Sequence, residues 1–367
     1  MYPRASEHAT MTGRERVARM FDREDHDRVP RHDTYWRETI ARWQGEGLGG
    51  DANTALEVLG TDFHGVAGSW PCPFPGLNET VAEDTETRTS IDSWGATVRH
   101  WKHRSGTPEH IAFGCDSPEA WRTRYKPAYD ELALTPDPQA VRQTLKDGRD
   151  QGRWCYLTAL ESFESTRRLM GDVIALSAMA EDPEWFLDVT TTYTDAVIRG
   201  LDAILDTGVE PDGLWIYGDM AYNHATMCSP AMYRQLVWPD HKRLADWGHA
   251  HDLKVIFHTD GNVNAVVDLY IEAGFDCLQP LESKAGMDVR RLCPSLGDRL
   301  AFFGNIDVMV MATNDPEKLE HEVETKLEAG MATRGYAYHS DHSVPPTVSW
   351  ATYQHLVELL DRCGRYT

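Results

Sequence analysis

Beyond residue 150, short apolar runs rich in β-branched and aromatic residues alternate with longer stretches in which apolar positions recur every three or four residues. Runs of the first kind read as strands and stretches of the second kind as helices. "WCYLTALE" (154–161) leads into "FESTRRLMG". "DGLWIYGD" (212–219) leads into a helix opened by Ser229 and Pro230, an N-cap followed by a first-turn proline, and running to about His251. "KVIFHTDG" (254–261), "CLQPLE" (277–282), "LAFFGNID" (300–307) and "YAYHSDHS" (336–343) each precede a further helical pattern. The strand runs are apolar throughout rather than alternating, which predicts a parallel sheet buried on both faces.

Six such units, with room for two more before residue 150, predict an α/β fold of the (β/α)8 TIM-barrel type. A doubly wound open sheet is the alternative, but the chain carries no G-x-G-x-x-G or Walker-type phosphate loop. The first 150 residues are less regular. Residues 1–30 read as an arm and a helix, with Thr12 and Glu15 at capping-box spacing. Residues 65–115, with Trp70, three prolines and the polar strand-like "WGATVRHWKH", read as irregular excursions over the barrel mouth. Without a linker, repeat or low-complexity tract, residues 1–367 are expected to form a single domain.

Charge narrows the partners. With 58 acidic and 36 basic residues the formal charge is −22, so nucleic-acid backbones and anionic membranes are repelled by the mean field. No run approaches the roughly 18 apolar residues of a membrane span. Seven scattered cysteines without a C-x-x-C pair, and no secretory leader, predict a reducing, cytoplasmic setting.

In a βα barrel the chemistry gathers at the C-terminal ends of the strands. Those ends are Glu161, Asp219, His258 with Asp260, Glu282, Asn305 with Asp307, and His339, Asp341 and His342. Any one of them can be a helix cap or turn residue. Gathered round one mouth, however, so many charges require a cation or a hydrogen-bonding ligand. His258 and Asp260, two apart on a strand, face the same side. With His342 or His339 they make a two-histidine, one-carboxylate set suited to Zn2+ or another divalent metal. Tyr217, Tyr222 and Tyr336 near strand ends are pocket candidates. Trp36, Trp43, Trp70 and Trp94 either wall a ligand or pack the excursions.

The chain resembles the uroporphyrinogen decarboxylase superfamily. The resemblance rests on "TGRERVARMFDREDHDRVP" (12–30), "LGTDF" (59–63), "SPAMYRQLVWPDHKRLADWGHAH" (229–251), "VIFHTDGN", "GFDCLQPLE", "GNID" and "HSVPP". It implies a (β/α)8 barrel and either decarboxylation or methyl transfer, the latter with a corrinoid carried on a partner protein, and it suggests a homodimer. Toward the decarboxylases, Asp62 is similar to the early catalytic aspartate and His342 to the late histidine, but the R-Q-A-G-R loop is missing. Toward the methyltransferases, His258 matches the histidine of a zinc-binding H-x-C, Asp260 replaces its cysteine, and His342 falls where a second cysteine is expected.

Three expectations follow. The first is metal-dependent methyl transfer or demethylation of a small substrate, with His258, Asp260, His342 and Glu282 at the metal. In it Asp219 is a catalytic or orienting partner, Glu161 or Glu164 the proton carrier, and Tyr222 lines the pocket. The second is a metal-free decarboxylase or lyase using Asp62, Asp219 and His342. The third is a corrinoid or tetrapyrrole carrier without turnover.

Overall fold

The computed structural model describes residues 11–103 and 106–366. The first ten residues of the expected N-terminal arm lie outside the described residues. A helix over Gly13–Asp22 starts at the capping box: Glu15 N–H donates to Thr12 Oγ1 at 3.2 Å and Thr12 N–H donates to Glu15 Oε2 at 2.9 Å.

The strands in chain order are β1 (Phe63–Ser69), β2 (Glu79–Glu83), β3 (Thr87–Ile91), β4 (Thr97–Trp101), β5 (Glu109–Ala112), β6 (Trp154–Leu160), β7 (Gly213–Tyr217), β8 (Lys254–Thr259), β9 (Cys277–Pro280), β10 (Ala301–Phe303) and β11 (Tyr336–Ala337). Seven of them form one sheet in the order β1-β6-β7-β8-β9-β10-β11, every pair parallel. The six strands expected after residue 150 are all present. β2 to β5 form a separate four-stranded antiparallel sheet within the region expected to be irregular. Hairpins of charged and Thr-rich residues pair with each other there, a pattern that apolar periodicity does not reveal.

The parallel sheet is buried on both faces. Outside, its strands pack on the helices in one large apolar cluster. Inside, Phe63, Trp154, Trp215, Ile256 and Phe303 form a second cluster, closed at the strand starts by Val17, Met20 and Phe21 of the first helix. The sheet curls strongly, since Phe63 of β1 stacks on Phe303 of β10 with ring centroids 4.8 Å apart although four strands lie between them. Residues 30–35 run beside β11: Tyr338 N–H donates to Pro30 O at 2.7 Å, and His32 N–H donates to Tyr338 O at 3.0 Å. On its other side the same segment receives Asp62 N–H on Arg31 O at 2.8 Å. No described helix is long and apolar enough to cross a membrane.

Candidate metal centre

Parallel pairing sets Tyr217, His258 and Gln279 level with one another on β7, β8 and β9. Side chains at matched positions of parallel strands point to the same face, so these three line up at the end of the strands. The backbone then fixes the residues that follow. Gly218 N–H donates to His258 O at 3.0 Å, and Asp260 N–H donates to Asp219 Oδ1 at 3.1 Å. Gly261 has φ +85°, and a Cβ there would sit 2.6 Å from the backbone of Ala221. Only glycine lets the β8 loop pass so close to the β7 loop.

The result is a cluster in which one ligand atom each from Asp219, His258 and Asp260 lie within 4.8 Å of one another. His258 Nδ1 lies 2.5 Å from Gln279 Oε1 and donates to it, which directs Nε2 to within 3.9 Å of Asp219 Oδ1. Burial raises the Asp260 carboxyl above its ordinary range; His258 and His342 pull it down, while Asp219 and Glu282 push it up. Asp260 Oδ1 is shielded and without a hydrogen-bond partner. An unpartnered carboxylate oxygen costs roughly 1–3 kcal/mol or more, and a cation is the natural partner for it. The donor types, one imidazole and two carboxylates, suit a divalent ion.

The cluster opens into a cavity of about 350 Å³ lined by Trp36, Trp215, Tyr217, His258, Asp260, Gln279, His339 and His342, with Thr34, Thr107, Pro280 and Ser343. His342 stacks on Trp36 with centroids 6.1 Å apart, and its Nε2 is 4.0 Å from Asp260 Oδ2. His339 is buried, and burial lowers its pKa. Its Nδ1 lies 2.6 Å from Ser340 O, so that nitrogen carries the proton. A second cavity, of about 700 Å³, lies on the Asp219 side and holds Glu164, Arg167, Arg168 and His110.

Several residues expected at the site are employed elsewhere. Glu282 receives Gly261 N–H at 2.9 Å and pairs with Lys284 at 2.7 Å, so Asp219 takes the place expected for it beside His258 and Asp260. Glu161 is fully buried. It caps the helix Ser162–Met170 by accepting from Phe163 and Glu164 N–H, and lies 3.0 Å from His241 Nε2. Glu164 pairs with Arg167 at 2.8 Å and Arg168 at 3.0 Å, and burial outweighs both arginines to raise its carboxyl. Tyr222 is 55% exposed and outside the cavity lining. Asp62 precedes β1 and so lies where the strands start, at the opposite end. There it is paired with Arg16 at 2.5 Å and Arg28 at 2.7 Å.

Sequence reasoning passed over Gln279, which orients His258. Its one signal is a polar residue inside the otherwise apolar "CLQPL".

The family model for uroporphyrinogen decarboxylase (URO-D) matches residues 169–363, a little over half of the chain. Among solved structures, a methyltransferase from Methanosarcina mazei superposes with a TM-score of 0.66 at 15% identity, covering 96% of this chain and 99% of that one. At that identity the likeness is one of fold. A class V chitinase from Pseudomonas fluorescens Pf-5 covers 60% of this chain and 85% of its own at 10% identity, with a TM-score of only 0.37, which supports no comparison of sites. No curated protein matches the chain.

Proposed function

The chain belongs to the uroporphyrinogen decarboxylase (URO-D) family, and on that premise we propose that it is a metal-dependent enzyme that moves a methyl group to or from a small molecule. The observation that carries this is the meeting of Asp219, His258 and Asp260 within 4.8 Å, with Asp260 Oδ1 left without a partner. The parallel sheet reads as a closed (β/α)8 barrel making up a single domain, with residues 30–35 as the eighth stave. Support comes from their bonds to both β11 and Asp62, and from the contact of Phe63 with Phe303. The methyltransferase fold of the Methanosarcina mazei neighbour is in keeping with that architecture.

Asp219, His258 and Asp260 would hold the ion, and Zn2+ fits their mixed nitrogen and oxygen donors. A bound divalent ion supplies Lewis-acid polarisation of a substrate atom. The protein does the rest. Gln279 fixes the His258 tautomer and ring plane. Trp36, Trp215 and Tyr217 form an apolar wall that keeps water from a methyl group in transit. A cavity of about 350 Å³ is in the range that holds a small-molecule substrate.

Metal analysis of purified protein tests this. About one equivalent of a divalent ion per chain is expected, and His258→Ala is expected to weaken its binding at least about tenfold. Less than about a tenth of an equivalent, together with unchanged titration by added Zn2+ in His258→Ala, would overturn the proposal.

A further inference from the structure

At the start of β6, away from the candidate metal centre, one arginine has no partner. The parallel pairing of Phe63 with Trp154 sets Arg153 across from Asp62. That carboxylate is already engaged: it accepts from Arg16 at 2.5 Å, from Arg28 at 2.7 and 3.0 Å, and from Arg31 N–H at 2.9 Å. Among the described residues the Arg153 guanidinium has neither a hydrogen bond nor an ion pair. By contrast Arg14, Arg16, Arg28, Arg31 and Arg149, also at this end, each hold a carboxylate. Arg153 is half-buried, and burial is the largest influence on it, pulling its pKa down against the fields of Glu57 and Asp62.

Arg153 lines a cavity of about 590 Å³ together with His32, Leu56, Glu57, Phe63 and His64. Its charge is felt by both histidines. Burial is the chief reason that His32 and His64 stay below their ordinary pKa, and Arg153 adds to the effect on each. A partly desolvated cation without a partner is costly, and an anion removes that cost. The rest of the lining limits which anion fits. Asp147 and Asp150 border the cavity along with Glu57, so a dianion such as phosphate is repelled by three carboxylates. A single carboxylate meets less repulsion and matches the planar fork of arginine with two parallel hydrogen bonds. Leu56, Phe63 and the His32 ring offer an apolar and aromatic surface to the body of such a ligand.

We infer that this cleft binds a small organic monocarboxylate, with its carboxylate on Arg153 and an apolar or aromatic body against Leu56 and Phe63. The inference does not rest on the proposed methyl transfer, since Asp219, His258 and Asp260 lie at the other end of the strands.

Calorimetric titration of the full chain with benzoate above neutral pH tests it, with benzamide as the uncharged isostere and inorganic phosphate as the dianion. About one equivalent of benzoate should bind per chain, and Arg153→Gln should weaken it at least about tenfold, the loss expected when one partner of a desolvated charge pair is truncated. Benzamide and phosphate should each bind at least about tenfold more weakly than benzoate. His258→Ala should leave benzoate affinity within about threefold, which separates this site from the metal centre. The inference is overturned if benzoate does not bind, if Arg153→Gln binds it as the unaltered chain does, if His258→Ala weakens it as much as Arg153→Gln does, or if benzamide or phosphate binds as well as benzoate. Should Arg153→Gln not fold, the unaltered chain carries the test through modification by phenylglyoxal and peptide mapping. Benzoate should then slow modification of Arg153 while leaving the exposed Arg122 unaffected, and equal rates with and without benzoate at Arg153 would overturn the inference.

Discussion

His258 and Asp260 are two apart in the sequence, and that spacing alone places both on one side of a strand. Which atom His258 presents is decided by Gln279, a partner on the next strand. Asp341 shows the same dependence. Its carboxylate receives Val308 N–H at 2.9 Å and Ser283 N–H at 2.8 Å, yet burial is the larger influence and pushes its pKa up to about 6 from an ordinary 3.8. The folded chain therefore binds this proton more tightly than the unfolded chain does. Its contribution to stability is complete below about pH 3.8 and lost as pH rises to about 6, amounting to roughly 3 kcal/mol over some two pKa units. Urea unfolding between pH 4 and 7 should show stability falling across that window from this group. Asp341→Asn should flatten the fall whatever it does to the absolute level.

Among the elements, the strands after residue 150 are legible because unbroken apolar runs are rare outside buried parallel sheets. Their ends are less so. Glu161 has the position expected of a proton carrier, but the helix that begins at Ser162 takes both its oxygens for backbone N–H groups, and His241 takes what remains. His241 is itself held by Tyr233 OH at 2.8 Å, so the carboxylate belongs to a buried chain of hydrogen bonds. Glu161→Ala should cost about 4 kcal/mol by chemical denaturation, the loss typical when one partner of a buried pair is removed, with Zn2+ affinity at the His258 cluster changed by less than about threefold. The helix expected to run from Ser229 to His251 is instead two, Pro230–Leu236 and Trp238–Ala250, meeting at Val237. Pro239 has no N–H to donate back into the preceding turn, and that breaks the ladder.

Over the whole molecule, the two ends of the curled sheet have different work. Where the strands start, Arg16, Asp27, Arg28 and Asp62 form a largely buried charge network that fastens the first helix under the inner aromatic cluster. Where the strands end, the charges are left partly open beside the cavity. Asp62→Asn should lower stability by about 3 kcal/mol, since two arginines lose their shared carboxylate. Metal binding at the far end should remain within about threefold of the unaltered chain; a comparable loss in both measurements would mean that Asp62 also serves the site. In a chain with a formal charge of −22, Arg16 is buried here between two carboxylates, a pairing that composition does not disclose.

By itself, the sequence determined the class of fold, the order of its parallel strands and helices, and the short-range pairing of His258 with Asp260, because each depends on periodicity within a few residues. Tertiary structure alone decided that Asp219 joins them, that the oxygens of Glu282 and Glu161 are taken by backbone N–H groups and other partners, and that Asp62 lies at the opposite end from the candidate site. Those outcomes depend on which of several equally suitable N–H donors and cations reaches each carboxylate first in space. Residues separated by tens or hundreds of positions compete for the same oxygen, and only the packed chain settles which of them wins.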